Sequence, residues 1–221
     1  IAATGSGKTY LSAFDVKNFK AKKMLFLVHR ENILISAKQS FENIIPNKTF
    51  GLFTGNKKEK DKDYIFSTIQ TMSLYFEQFE KNEFDYIIID EAHHVTSLTY
   101  KKVLEYFKPK FLLGLTATSN RMDGNSIYEV FDENIACDIR LNDALEHNLV
   151  VPFHYFGISD IKSIDYENID LSKIDELAKL LNVNKRAEFI VEQMNFYSHI
   201  GNKGKVIGFC VSKEHCSFMS K

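Results

Sequence analysis

The apolar positions along the chain fall into short solid runs separated by longer stretches with helical spacing. Residues 22–28 (KKMLFLV), 64–67 (YIFS), 86–89 (YIII) and 111–115 (FLLGL) are too short for helices and rich in branched or aromatic side chains, so they predict strands buried on both faces of a parallel sheet. Between them, residues 10–19, the stretch carrying Ile33, Leu34, Ala37 and Phe41 on one side, and residues 100–107, stopped by Pro109, predict helices. Strand and helix in alternation define an α/β fold with a parallel sheet. Residues 56–63 (NKKEKDKD) lack apolar period and predict a surface loop.

The later third changes character. Residues 141–149 predict a helix leading into a strand at 151–158 (VPFHYFGI), and residues 158–176 follow with six acidic side chains against two lysines, a polar connection that keeps nucleic-acid phosphates away. Leu177, Leu180 and Leu181, then Phe189, Ile190, Met194 and Tyr197, form two helical stripes assigned to core. Residues 205–210 (KVIGFC) predict another strand, with Ser212 and Lys213 at its mouth. The expected division is a first domain over 1–150 and the start of a second over 151–221.

Composition narrows the classes. With 221 residues, 44% hydrophobic and 26% charged, the chain has room for one full domain and part of another. A formal net charge of −1 excludes holding nucleic acid by bulk charge, so such binding needs local patches. No apolar stretch reaches about 18 residues and no signal peptide opens the chain, so no membrane partner and a cytoplasmic location are expected. Cys137, Cys210 and Cys216 form no CxxC pair and predict buried thiols in a reducing compartment.

The chemistry concentrates in two places. The opening IAATGSGKT holds most of a phosphate-binding loop, although Ala2 stands where a first glycine is usual. Gly5 and Gly7 permit backbone turns closed to other residues, so N–H groups from Thr4 through Thr9, Ser6 included, can converge on phosphates at a helix start. Lys8 adds a charge for the outer phosphates, and the Thr9 hydroxyl can ligate magnesium. Such a loop ordinarily follows a strand, and the chain begins at Ile1 without methionine, so a fragment of a longer protein is expected.

The second place is FDYIIIDEAHH at 84–94, a buried strand ending on Asp90 and Glu91 at the sheet's carboxyl edge, where open α/β sheets bind ligands. Asp90 is placed to hold a metal ion and Glu91 to take a proton from water. His29 and Arg30 end the 22–28 run, where they suit either a second ligand or a helix start. Thr68 and Gln70 end the 64–67 run and suit phosphate and sugar contacts, with N-capping equally open for Thr68. Thr116 and Thr118 end the 111–115 run. Adjacent His93 and His94 are not the HExxH pattern, whose histidines share one helix face.

In order, ATGSGKT, LFLVHRENIL, STIQTM, IIIDEAHH and GLTATSNRMD resemble the phosphate-loop, Ia, Ib, II and III motifs of superfamily 2 DEAD/DEAH-type helicases. The likeness points toward the type III restriction helicase subunit group and bacterial DNA helicases, and IGFCVSKEHCSFM resembles motif IV. The resemblance implies a RecA-like parallel sheet flanked by helices, followed by the start of a second RecA-like domain. It implies ATP and Mg2+ as cofactors, DNA as the preferred track with RNA still open, and missing N- and C-terminal domains. Gly5, Gly7 and Lys8 would cradle phosphates, Thr9 and Asp90 would hold magnesium, and Glu91 would activate water. His93, Thr116 and Thr118 would couple nucleotide to nucleic acid, which His29, Arg30, Thr68, Gln70, Ser212 and Lys213 would contact. His94 is extra to the DEAH box. Ser119 and Asn120 depart from the group's usual proline and acidic residue. Motifs V and VI, with their arginine finger, do not occur before Lys221, so residues 1–221 alone are expected to hydrolyse ATP poorly.

Overall fold

A computed structural model describes residues 1–118, 127–161, 164, 170, 172–197 and 205–220. The departures at Ser119 and Asn120, and part of the acidic connection, lie outside the described residues. The chain divides into two compact units, residues 1–153 and 154–221.

The first unit is built on a parallel sheet in the order β2-β3-β1-β4-β5, with β1 Met24–Val28, β2 Phe50–Phe53, β3 Tyr64–Thr68, β4 Tyr86–Asp90 and β5 Phe111–Leu115. Four of these are the solid apolar runs, and β1, β3 and β4 are buried at every position. Successive side chains point to opposite faces, so each strand feeds two cores. Leu25, Leu27, Ile87 and Ile89 pack with Ile69 and Met72 of α3 (Ile69–Tyr75) and Val103 of α4 (Leu98–Tyr106). Met24, Phe26, Val28, Tyr86 and Ile88 pack with Ala13 and Val16 of α1 (Lys8–Phe19) and Leu34, Ala37 and Phe41 of α2 (Glu31–Ile44). This two-sided arrangement brings the carboxyl ends of all five strands to one edge.

The sequence reading passed over β2. Its FGLF alternates half-buried and buried positions, too short a pattern to separate from a loop, and its register comes from pairing Phe50 with Tyr64. Gly51 is required there: a Cβ would come within 2.5 Å of the Glu59 carbonyl oxygen.

In the second unit the described residues hold α6 (Ile174–Leu181), α7 (Asn184–Tyr197) and α8 (Lys213–Met219), following α5 (Leu141–Glu146) at the end of the first. The strands expected at 151–158 and 205–210 are not formed. A strand needs a neighbour for its backbone groups, and no ladder partner for either segment exists among the described residues. The second helical stripe is also not core: no residue of α7 is buried, and Phe189, Met194 and Tyr197 line a groove of about 480 Å3 with Phe156. The thiols are not buried either, since Cys137 and Cys216 are exposed and Cys210 is intermediate. Among the described residues no helix is long and apolar enough to cross a membrane.

Candidate functional site

The phosphate loop is anchored at its root by β-type backbone bonds. Ala2 N–H donates to the Thr116 carbonyl at the end of β5 (2.9 Å), Ala3 N–H to Ile139 (2.9 Å), and Ile139 N–H to Ile1 (3.0 Å). From there the chain turns through Gly5 (φ 85°) and Gly7 (φ 84°), both in the left-handed region, as the loop's glycines predict. Gly7 caps α1, so the N-terminus of that helix opens onto the turn. Thr4, Gly5 and Gly7 are exposed, with Ser6, Lys8 and Thr9 partly so. Lys8 Nζ donates to the carbonyls of Ala2 (3.0 Å) and Ala3 (3.3 Å), which curls its ammonium over the loop. Three N–H donors on that group leave one beyond these two contacts.

Opposite, β4 delivers the two carboxylates into different environments. Asp90 is 9% exposed. Burial first, then the neighbouring Glu91 charge, push its carboxyl above the usual range, while the Glu91 N–H, Lys8 and His93 pull it back. Glu91 adopts φ 54° and ψ 51°, a left-handed conformation that costs a non-glycine residue about 1–3 kcal/mol and ends the strand abruptly. Its side chain remains 42% exposed. No local signal for this existed in the sequence, because glutamate is not a turn former. Tyr100, buried with a hydroxyl lacking a partner, is kept protonated by burial and by Asp90 and Glu91.

His93 ties Glu91 to the end of β5. Its Nδ1 lies 3.2 Å from Glu91 Oε2 and 3.3 Å from Thr116 Oγ1. Nδ1 thus hydrogen-bonds with Thr116 Oγ1 and makes an ion-pair contact with Glu91. Thr116 Oγ1 in turn donates to the Thr118 carbonyl (2.7 Å) and accepts from Thr118 N–H (3.2 Å). Thr118 thus enters through its backbone.

The remaining residues separate. Gln70 Nε2 donates to His29 Nδ1 (3.1 Å), and both are exposed beside Arg30, which precedes α2 without a side-chain cap bond. Thr68 is 8% exposed and its hydroxyl caps α3, accepting from Thr71 N–H (3.3 Å) and donating to Thr71 Oγ1 (2.9 Å). Ser212 caps α8 by accepting from His215 N–H (3.1 Å), and Lys213 is exposed on that helix's first turn. For Thr68 the capping alternative is the one the geometry takes, and Ser212 serves as a cap as well. Ser212 and Lys213 belong to the second unit.

The donor set suits magnesium, which takes hard oxygen ligands and keeps several positions for water and phosphate. Thr9 offers a hydroxyl at the start of α1, and Asp90 offers a buried carboxylate with no ion-pair partner within 4 Å among the described residues. No cluster of three His, Cys, Asp or Glu suited to a metal occurs among the described residues.

A glycine loop on a helix start and an Asp-Glu pair, both at the carboxyl edge of a parallel sheet flanked by helices, define an α/β domain of RecA-like fold. Residues 1–121 match the family described as type III restriction enzyme, res subunit, and the chain belongs to that family. It is 29% identical over 96% of its length to a protein of Schizosaccharomyces pombe named as a mitochondrial ATP-dependent helicase, irc3, covering 37% of that relative. It is 25% identical over 93% of its length to the general transcription and DNA repair factor IIH helicase/translocase subunit XPB of Encephalitozoon cuniculi, covering 33% of it. The chain therefore spans about a third of these relatives. Among solved structures, the fold is similar to a fragment named as an HsdR subunit of a type I restriction enzyme from Vibrio vulnificus (TM-score 0.65, 23% identity, 99% of this chain and 39% of that one).

Proposed function

We propose that residues 1–221 are the ATP-binding portion of a longer DNA-tracking helicase or translocase of restriction or repair type. Residues 1–150 serve as its first motor domain and residues 151–221 as the connection and opening part of the second, a reading supported by the division after Phe153. The observation that carries the function is the line of contacts from Glu91 to His93, at ion-pair distance, and on by hydrogen bond to Thr116, which links the hydrolytic carboxylate to a strand end that also anchors the phosphate loop.

In this reading the backbone N–H groups of 4–9 and Lys8 hold the ATP phosphates, while Thr9 and Asp90 hold Mg2+. The metal ion, when bound, neutralises charge on the outer phosphate oxygens. Glu91, with Oε2 in contact with His93, aligns a water with the outer phosphorus and accepts its proton. His29, Arg30 and Gln70 meet the nucleic-acid backbone from the same sheet edge, with Thr68 positioning Gln70 through its cap. Ser212 and Lys213 add contacts from the second unit. DNA is favoured by the repair-factor helicase/translocase among the relatives.

The test is ATP hydrolysis by the full-length protein with single- and double-stranded DNA and RNA, beside Glu91→Gln. Stimulation by DNA, with turnover in the variant reduced about 100-fold or more, is expected. Turnover raised only by RNA would reassign the track. ATP binding with no stimulation by any nucleic acid would replace the motor with a nucleotide-gated binding module.

A further inference from the structure

His94, the residue beyond the DEAH box, stands between the hydrolytic and nucleic-acid groups. Its ring lies 4.1 Å from that of His93 at an interplanar angle of 47°, and 5.3 Å from that of His29 at 32°. His29 accepts from Gln70, and His93 Nδ1 lies 3.2 Å from Glu91 Oε2. These side chains come from three separate places in the chain, Gln70, His29 and the adjacent pair His93 and His94. They become neighbours because β3, β1 and β4 are adjacent in the sheet and end at the same edge. Thr116 extends the line to β5. One continuous row of contacts therefore crosses four strand ends, exposed at Gln70 and reaching the catalytic carboxylate at Glu91.

Resting on the motor reading, we propose that His94 is a positioning residue that transmits nucleic-acid contact at Gln70 and His29 to Glu91. Planar rings in contact have few internal torsions, so a displacement of His29 moves His94, which moves His93. His93 bears on the direction of the Glu91 carboxylate through the ion-pair contact of its Nδ1 with Oε2. The strained backbone of Glu91 makes that direction dependent on outside support, because no helix or strand geometry fixes it. Chains of contacting side chains and hydrogen bonds carry such displacements between sites.

The experiment measures ATP hydrolysis by the full-length protein with and without saturating DNA, for wild type, His94→Ala, His94→Phe and His94→Gln. Loss of the ring in His94→Ala is expected to lower DNA-stimulated kcat by about fivefold to tenfold while the unstimulated rate and the KM for ATP stay within about twofold. His94→Phe, which keeps a ring in the stack, retains most of the stimulation. If His94→Ala does not fold, the same split is read between His94→Phe and His94→Gln. Gln70→Ala combined with the ring-deleting variant should lower stimulation no further than the stronger single variant, as for two links in series. Equal loss of stimulated and unstimulated rates, unchanged stimulation without the ring, or multiplied effects in the double variant would each overturn the transmission role alone. Wild-type turnover that no nucleic acid raises would overturn the motor reading and the transmission role together.

Discussion

Residues 24–28 (MLFLV) and 205–210 (KVIGFC) carry similar apolar chemistry, yet the first is a strand at the heart of its unit and the second pairs with nothing described. Met24 to Val28 are at most 1% exposed, whereas Val206 is 64%, Ile207 81% and Phe209 95% exposed. The difference lies in the neighbours. β1 has β3 on one side and β4 on the other, in register along its length. Both faces of the ladder are then covered by helices, and burial of each large apolar side chain contributes about 1.5–3 kcal/mol. β propensity is largely a fit to a pleated, packed surface, so the same residues without that surface remain extended and solvated.

The largest contrast comes from truncating one phenylalanine in each region. Phe26 stacks on Phe66 (centroids 5.3 Å apart) and meets Phe41 edge-on (5.6 Å), so Phe26→Ala opens a cavity and should cost about 3–5 kcal/mol in urea unfolding of the first unit. Phe209→Ala should change stability by less than about 0.5 kcal/mol. An equal loss from both would show that residues 205–210 pack in solution as β1 does.

Glycine gives a smaller contrast of the same kind. Gly51→Ala sets a methyl against the Glu59 carbonyl, a backbone atom that cannot swing aside, and should cost about 1–3 kcal/mol. A Cβ at Gly208 meets nothing within 4 Å and the backbone there is outside the left-handed region, so Gly208→Ala should be neutral or stabilise by up to about 1 kcal/mol through the unfolded chain. Thermal midpoints of the two variants check both signs.

Tyr86→Phe tests a single polar link within the first unit. The Tyr86 hydroxyl donates to the Asp15 carboxylate, joining β4 to α1, and burial together with Asp15 keeps it protonated. Asp15 is an exposed residue that water can solvate in the variant, so the loss should be about 0.5–1.5 kcal/mol by denaturant titration.

These contrasts also mark what the sequence could disclose. The four solid runs are strands because each is buried on both faces, and burial of that kind leaves a mark in composition alone. Gly5, Gly7, Lys8 and the Asp90-Glu91 pair were legible because phosphate chemistry demands those residue types at fixed spacing. β2 was not, since its register is set by Tyr64, fourteen positions away. The left-handed backbone at Glu91 was equally silent because glutamate is not a turn former, and the contact of His94 with His29 because it arises from strand order across the sheet edge. Residues 151–158 and 205–210 misled for the converse reason: their own pattern favours a strand, and the pattern contains nothing about a partner.

The finest comparison sets Asp63 against Asp170, two carboxylates held below their ordinary range in different surroundings. Asp63 accepts from the N–H of Thr49 (2.9 Å) and from its hydroxyl (2.9 Å), and these bonds, the backbone one first, depress its pKa despite partial burial. Thr49 immediately precedes β2 and Asp63 immediately precedes β3, so the pair fixes where the two strands begin. Asp170 accepts from the hydroxyl and N–H of Ser172, which lower its pKa while shaping only a local turn. A carboxylate with a depressed folded pKa adds stability that is present above its unfolded value, near 3.8, and disappears as pH falls through the folded value. Asp63→Asn should therefore cost about 0.5–1 kcal/mol at neutral pH, reduced by solvent at this partly exposed site. Its stability curve should converge on that of the wild type as pH drops below about 3.8. Asp170→Asn, tied to no strand start, should leave unfolding of the first unit unchanged at every pH. A constant offset between wild type and Asp63→Asn down to the acid limit would mean that the variant acts through packing, and that charge at Asp63 does not set the start of β3.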